Sequence, residues 1–197
     1  MALQFASVPA NAVALVRAGL DKVAARSQPP ERLLALGSGE TSISAPHPVF
    51  DLRADEIARG GGLETARETA LRFLITAGKT PLGAAELRSE PSGAQLQLSN
   101  LNFGPYADAT AETLNRLASD EHLALGSYEV RLLRFSAIYL VAIWLKGSAG
   151  VSDIIIPLAP APSPLVPDRI YGADELLLAI RPLAVERTGN GPEAAMP

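Results

Sequence analysis

Apolar residues recur at helical spacing near the start of the chain. Within residues 11–26, valines and leucines follow one another every three or four positions, which is the spacing of one helix face. The residues of this apolar stripe are Val13, Val16, Leu20 and Val23. Residues 37–48 are rich in Gly, Ser, Thr and Pro and are typical of a loop. Residues 1–48 are therefore predicted to form an N-terminal helical arm and linker.

Further helices are predicted along the chain, including short ones at residues 31–36 and 51–59. Residues 63–77 place their small and apolar side chains on one face, and Gly78 follows as an end signal. That face comprises Leu63, Ala66, Ala70, Leu74 and Ala77. Residues 108–120 predict a helix with Asp108 as its N-cap, and residues 173–181 predict a short one.

Two strands are predicted between the helices at 63–77 and 108–120. Residues 84–89 form the first, and the turn residues 90–93 separate it from the second at residues 94–99. In the second strand apolar residues alternate with Gln95, Gln97 and Ser99, which is typical of a strand with one buried face.

The second half of the chain predicts an interior strand. Residues 128–146 begin with alternation and then become apolar on both faces, so residues 137–145 are expected to lie in the middle of a sheet. The side-chain phase changes near residue 135, which indicates a bulge or a turn that makes two strands. Residues 151–158 predict the returning strand.

These elements together predict an α+β fold. Short hairpins imply antiparallel pairing, so we expect a curved antiparallel sheet of four to five strands with helices mainly on one face, plus the N-terminal helical arm. The expected core domain spans residues 49–185. Residues 186–197 are predicted to be a disordered tail, because they are rich in Gly and Pro and carry few apolar anchors.

Composition and charge remove several classes of function. The net charge of −4 argues against nucleic acid as a partner, since binding it requires a basic surface. The absence of cysteine excludes disulfides and zinc–sulfur sites, and two distant histidines predict no metal site; no cofactor is expected. The apolar run at 135–145 is about half of the roughly 20 residues that a membrane helix needs, so no membrane span is predicted. A cytoplasmic location is expected.

Local motifs offer little catalytic chemistry. Gly78-Lys79-Thr80 resembles the end of a phosphate-binding loop, but Phe73 stands where that loop requires a glycine. Ser148 lies in an apparent hairpin, whereas a nucleophile elbow is a strand-to-helix turn. No catalytic residue is assigned.

Residues 100–106 are the strongest candidate for ligand contact. They join a predicted strand to a predicted helix, and polar groups near a helix N-terminus can orient a ligand. The alternative is that Asn100 and Asn102 only satisfy the backbone of the turn. With other polar residues of the same region and the next strand, the candidate ligand-binding residues are Asn100, Asn102, Tyr106, Asp108, Glu129, Arg131 and His122.

The sequence favours a non-enzymatic interaction or assembly module, which binds a partner protein or a second copy through apolar surface. The weak catalytic equipment, the charged fraction of 19% and two apolar segments lead to this expectation. One segment is the arm and the other is the proline-rich stretch 157–167. The alternative is a small-molecule-binding protein or an enzyme with a pocket on the concave sheet face. The predicted interface residues are Val13, Val16, Leu20, Val23, Leu158, Leu165 and Val166.

Overall fold

A computed structural model describes residues 2–34, 41–89, 95–120, 126–148 and 150–189. These residues form a mixed structure of strands and helices. The strands are β1 Ala2–Gln4, β2 Thr41–Asp51, β3 Arg67–Ala77, β4 Thr80–Ser89, β5 Leu96–Asn102, β6 Ser127–Phe135, β7 Leu140–Gly147, β8 Ile154–Pro157 and β9 Tyr171–Gly172. The helices are α1 Ala12–Ala24, α2 Glu31–Leu34, α3 Ala54–Ala58, α4 Pro105–Ala118 and α5 Ala173–Gly189.

All nine strands belong to one open sheet. Its order is β5-β4-β3-β2-β6-β7-β8-β9, with β1 paired to β6 outside this path. Most neighbours are antiparallel, while β1 and β2 both run parallel to β6. The mixed content and the mainly antiparallel pairing confirm the predicted class, but the predicted size of four to five strands is wrong.

The sheet is larger because residues 67–77 are strand β3 and not the predicted helix. Ala70 and Leu74 are four apart, and an even separation also places residues on one face of a strand. Phe73 and Ile75 point to the opposite face and are buried there. Because β3 lies between β2 and β4 with both faces covered, tertiary packing decides its conformation. Gly78 accordingly sits in the β3–β4 hairpin with a φ of 57°.

Strand β2 corrects a second expectation. The predicted loop at 37–48 is a strand from Thr41 onward, and it lies inside the sheet between β3 and β6. Pro46 is tolerated because the register shifts between Ser44 and His47, where the ladder is interrupted. The predicted boundary at residue 48 therefore falls within a strand.

The arm helix packs on this chain's own core. Val16 and Leu20 are buried in one cluster with Phe73 and Ile75. Gly19 meets Leu98 of β5 so closely that a methyl group there would overlap the Leu98 side chain. The apolar stripe of the arm thus covers β3, β4 and β5 in the same chain.

Helices lie on both faces of the sheet. Helix α4 packs with Ala70, Leu74 and Leu132. The opposite face carries α1 at one end, while α3 and α5 cover Leu133 and Trp144 at the other. The core under α4 therefore lies on one face of the sheet. The core under α1 and the core under α3 and α5 lie on the opposite face.

The predicted interior strand at 137–145 is present as β7, but it begins at Leu140 and ends at Gly147. Strand β7 lies between β6 and β8, and Ile143 is fully buried. A turn produces the change of phase, since a 3-10 helix spans Ser136–Ile138 and Tyr139 has a φ of 58°. Helix α5 is longer than expected and takes in part of the predicted tail. Residues 190–197 lie outside the described residues.

No helix in the described part of the chain is long and apolar enough to cross a membrane.

Candidate binding groove at the edge of the sheet

Strand β5 is an edge strand of unusual composition. Among the described residues it pairs with β4 alone, so the far side of its backbone has no strand partner. Its seven residues include no charged residue and no proline. Edge strands are normally protected by such residues or by being very short, as β9 is with two residues at the opposite end. Strand β5 therefore retains the capacity to pair with a further strand.

A groove of about 440 Å³ runs beside β5, between this strand and the C-terminal half of α1. Its wall along β5 combines the apolar Leu98 and Leu101 with the polar Ser99 and Asn100, and its helix side carries cations. The lining includes Gly19, Lys22, Val23, Arg26, Leu98 and Leu101, with Phe103 at the end of the strand. The groove thus joins an open backbone edge to side-chain recesses.

The charge of the groove is positive. Lys22 and Arg26 are exposed, and neither forms an ion pair with any described residue. Lys22 lies in the last turn of α1, where a cation is favoured by the helix dipole. Asp21 adjoins Lys22 in the sequence but is not part of the groove lining. Within the described part of the chain, the groove therefore presents two cations that form no ion pair, and no carboxylate lines it.

The predicted residues 100–106 divide between this edge and the start of α4. Asn100 lies in β5 and its side chain is exposed. The Asn102 side-chain oxygen accepts a hydrogen bond from the Gly104 N–H at 2.7 Å, which is the structural role considered for it. Gly104 is the N-cap of α4 and Pro105 its first residue, so the prediction of Asp108 as N-cap is wrong.

Tyr106 and Asp108 hold other elements in place. The Tyr106 hydroxyl lies 3.0 Å from the Pro160 carbonyl oxygen and donates to it, and partial burial raises the pKa of this phenol above its usual value. The Asp108 carboxylate accepts two hydrogen bonds from Arg32, at 2.6 and 2.7 Å. Both side chains therefore have partners within the chain.

Glu129 and Arg131 lie far from β5. They are on β6, and three strands separate β6 from β5 in the sheet. The Glu129 carboxylate accepts two hydrogen bonds from Arg131, at 2.8 and 3.0 Å. The Arg131 guanidinium is 4.6 Å from the ring centre of Phe50 and 4.8 Å from that of Trp144. The predicted ligand-binding residues thus do not converge, and His122 lies outside the described residues.

Most predicted interface residues are covered by this chain. Val16, Leu20 and Val23 are buried residues of α1, and Leu158 and Leu165 are buried beside the sheet. Among the predicted set, Val166 keeps 51% of its surface exposed, and Val13 is half-buried. Exposed apolar side chains elsewhere include Phe5, Val8, Leu34, Ile170, Leu178 and Val185.

A polar cluster lies inside the sheet, and no pattern in the sequence indicated it. Arg134 on β6 connects two carboxylates, with hydrogen bonds of 2.7 and 3.1 Å to Asp51 and of 3.0 and 3.1 Å to Glu86. Burial by itself would raise the pKa of Asp51, but hydrogen bonds from Arg134 and Thr69 lower it below its ordinary value. This cluster binds β2, β4 and β6 together.

His47 and Arg72 extend the cluster across β2 and β3. His47 Nδ1 lies 2.6 Å from the Ala45 carbonyl oxygen and donates to it, while His47 Nε2 is buried without a hydrogen-bond partner among the described residues. Burial and the nearby Arg72 charge lower the pKa of His47 to about 3. Arg72 donates to Thr110 Oγ1 at 3.1 Å, and burial lowers its pKa to about 10. At neutral pH the pair is a neutral imidazole beside a cation.

Among the described residues, the two carboxylates of this cluster are both paired with Arg134. Within the same residues, no group of three or more His, Asp or Glu side chains is placed to hold a metal ion. The cluster instead resembles a structural ion network, in which buried charges satisfy one another.

No family model, curated protein or solved structure matches this chain.

Proposed function

We propose that this protein is a non-enzymatic interaction module that binds an extended segment of a partner protein by strand addition at β5. One observation carries the proposal: a seven-residue edge strand without a charge or a proline adjoins a groove lined by two exposed cations. In strand addition, backbone hydrogen bonds provide affinity, and recesses for alternate side chains provide specificity.

The groove favours an acidic partner segment with apolar residues at every second position. Lys22 and Arg26 attract carboxylates, since no described acidic residue neutralises them. Leu98 and Leu101 supply the apolar contact on the strand side. A peptide that alternates valine with glutamate combines both properties in one extended chain.

The dispersed polar residues support binding over catalysis. Glu129 and Arg131 satisfy each other, Asp108 is held by Arg32, and the Tyr106 hydroxyl donates to a backbone carbonyl. Catalytic groups must meet at one reacting position. These side chains instead stabilise separate parts of the fold.

The test measures binding of a fluorescein-labelled peptide of about ten residues that alternates valine and glutamate. We expect saturable binding by fluorescence polarisation, and no binding of the same peptide with lysine in place of glutamate. A third peptide carries N-methyl groups at alternate residues and so cannot donate to the edge. It should bind much more weakly than the unmodified peptide.

Charge reversal locates the site on the protein. The double variant K22E/R26E should weaken binding roughly tenfold, because two attractive charge pairs become repulsive. The control R17E/R187E makes the same change of charge at two exposed arginines that do not line the groove, and it should bind like the native protein. Amide hydrogen exchange should slow at β5 in the complex.

Three results contradict the proposal. If the N-methylated peptide binds as tightly as the unmodified one, the peptide does not pair with β5 through backbone hydrogen bonds. If K22E/R26E and R17E/R187E weaken binding equally, the loss of affinity reflects net charge and not the groove. A stable dimer by light scattering, with no peptide binding, assigns the β5 edge to a second copy.

A further inference from the structure

A second and larger groove lies on the other side of the molecule from α1. Strands β1 and β2 pair with successive stretches of the same edge of β6, at residues 127–129 and 132–134. The first half of β2 therefore departs from β6, and the space beside it opens under α4. The resulting groove has a volume of about 690 Å³, which is within the usual range for small-molecule sites.

The interior of this groove is apolar. Leu74 of β3 and Leu114 of α4 form its buried floor. Phe5 stands at the rim with 41% of its surface exposed. Small side chains on α4, at Ala111 and Ala118, leave the space open. A hydrocarbon chain placed here would remove this apolar surface from water.

One of the described residues that line the groove carries a charge. Lys79 lies at the tip of the β3–β4 hairpin and is exposed, and it forms no ion pair with a described residue. The remaining polar lining residues, Ser44, Thr76 and Asn115, are neutral hydrogen-bonding groups. No carboxylate is among the described residues that line the groove. An anionic head group with an apolar tail matches this distribution.

We propose that this groove binds an amphipathic carboxylic acid with an unbranched hydrocarbon tail. The tail packs against Leu74 and Leu114 and passes Phe5, and the carboxylate meets the Lys79 ammonium at the rim. This site is separate from the β5 groove, and the two share no lining residue. The inference therefore does not depend on the peptide-binding proposal.

Isothermal titration calorimetry with octanoate, decanoate and dodecanoate, each below its micelle concentration, tests the tail. Affinity should rise about fourfold with each methylene that enters the groove and then reach a plateau. Decanol and decyltrimethylammonium test the head group. Decanoate should bind best and the cationic amphiphile worst, since Lys79 repels it.

Two variants test the assignment to this groove. K79Q should weaken decanoate about fivefold and leave decanol unchanged, because only the charged head group loses its partner. A118F places a large ring at an exposed α4 position that lines the groove. It should abolish binding of decanoate and of decanol while the midpoint of thermal unfolding stays unchanged.

The control K22Q removes an exposed lysine from the other groove. It should leave decanoate binding unchanged and weaken binding of the valine–glutamate peptide. Failure of one proposal can therefore be distinguished from failure of the other. Equal affinity for decanoate and decyltrimethylammonium, equal decanoate affinity in K79Q, or no binding of any amphiphile at millimolar concentration would each overturn the ligand assignment.

Discussion

Single residues inside the sheet control how stability depends on pH. His47 is fully buried and neutral, with a pKa lowered from 6.5 to about 3. The unfolded chain therefore binds a proton that the folded chain does not, between these two values. The stability from a neutral His47 is fully present above about pH 6.5 and is lost as the pH falls toward 3.

The first prediction concerns the variant H47Q, whose side chain does not titrate. The native protein should lose about 2 kcal/mol of unfolding free energy between pH 7 and pH 5 through His47, and H47Q should not show this loss. Urea denaturation at a series of pH values provides the measurement. H122Q retains His47 and should keep the loss. The lowered pKa of Asp51 acts at more acidic pH, below its ordinary value of 3.8. An equal pH slope in H47Q and the native protein would contradict this account.

Arg134 is the second residue with a defined energetic role. It supplies hydrogen bonds to two carboxylates, and the Glu86 side chain is only 9% exposed. R134M should lower the free energy of unfolding by about 3 kcal/mol, since both acids lose their partner. R116M breaks an ion pair with Asp168 in which both side chains are 50% exposed, so it should cost less than about 1 kcal/mol. Equal urea midpoints for the two variants would show that the Arg134 network adds nothing.

At the scale of elements, β7 is an interior strand that contributes side chains to two hydrophobic cores. Ile143 and Leu145 belong to the core under α4, while Ala142 and Trp144 belong to the core under α5. Adjacent residues of one strand therefore stabilise opposite layers. A change on either face of β7 should affect the whole sheet.

The variant I143D tests this position of β7. Ile143 has no exposed surface, so an aspartate there would be an unpaired buried charge, and we expect the domain to be unfolded at neutral pH. I170D makes the same substitution at an isoleucine that is 48% exposed and should change the unfolding free energy by less than about 0.5 kcal/mol. Circular dichroism and thermal melting distinguish the two. A folded I143D protein with a native midpoint is incompatible with an interior β7.

For the whole molecule, the helices determine where ligands have access. Helix α1 covers one face of β5 but leaves its edge open, and α4 spans the gap where β2 departs from β6. The two grooves carry cations on a chain whose net charge is −4. Local charge, and not the net charge, is therefore what the two proposed ligands would meet.

The sequence alone determined those features that depend on local pattern. Alternation identified β5 and β6, and apolar residues on both sides identified β7 as interior, because these signals lie within a few consecutive residues. The uncharged composition of β5 was also readable before any fold was known. Its position at the sheet edge was not, since strand order depends on pairing between distant segments.

Tertiary structure decided the rest. The 63–77 segment satisfied a helical pattern, and its burial between β2 and β4 made most of it a strand. His47, Arg72, Glu86 and Arg134 are spread over almost ninety residues of sequence and meet only because four strands lie side by side. Lys22, Arg26 and Lys79 became candidate ligand contacts through the grooves next to them, and a groove exists only once helices and strands have packed. Local pattern reports which face of an element is apolar, whereas the partner of that face is set by the packing of the whole chain.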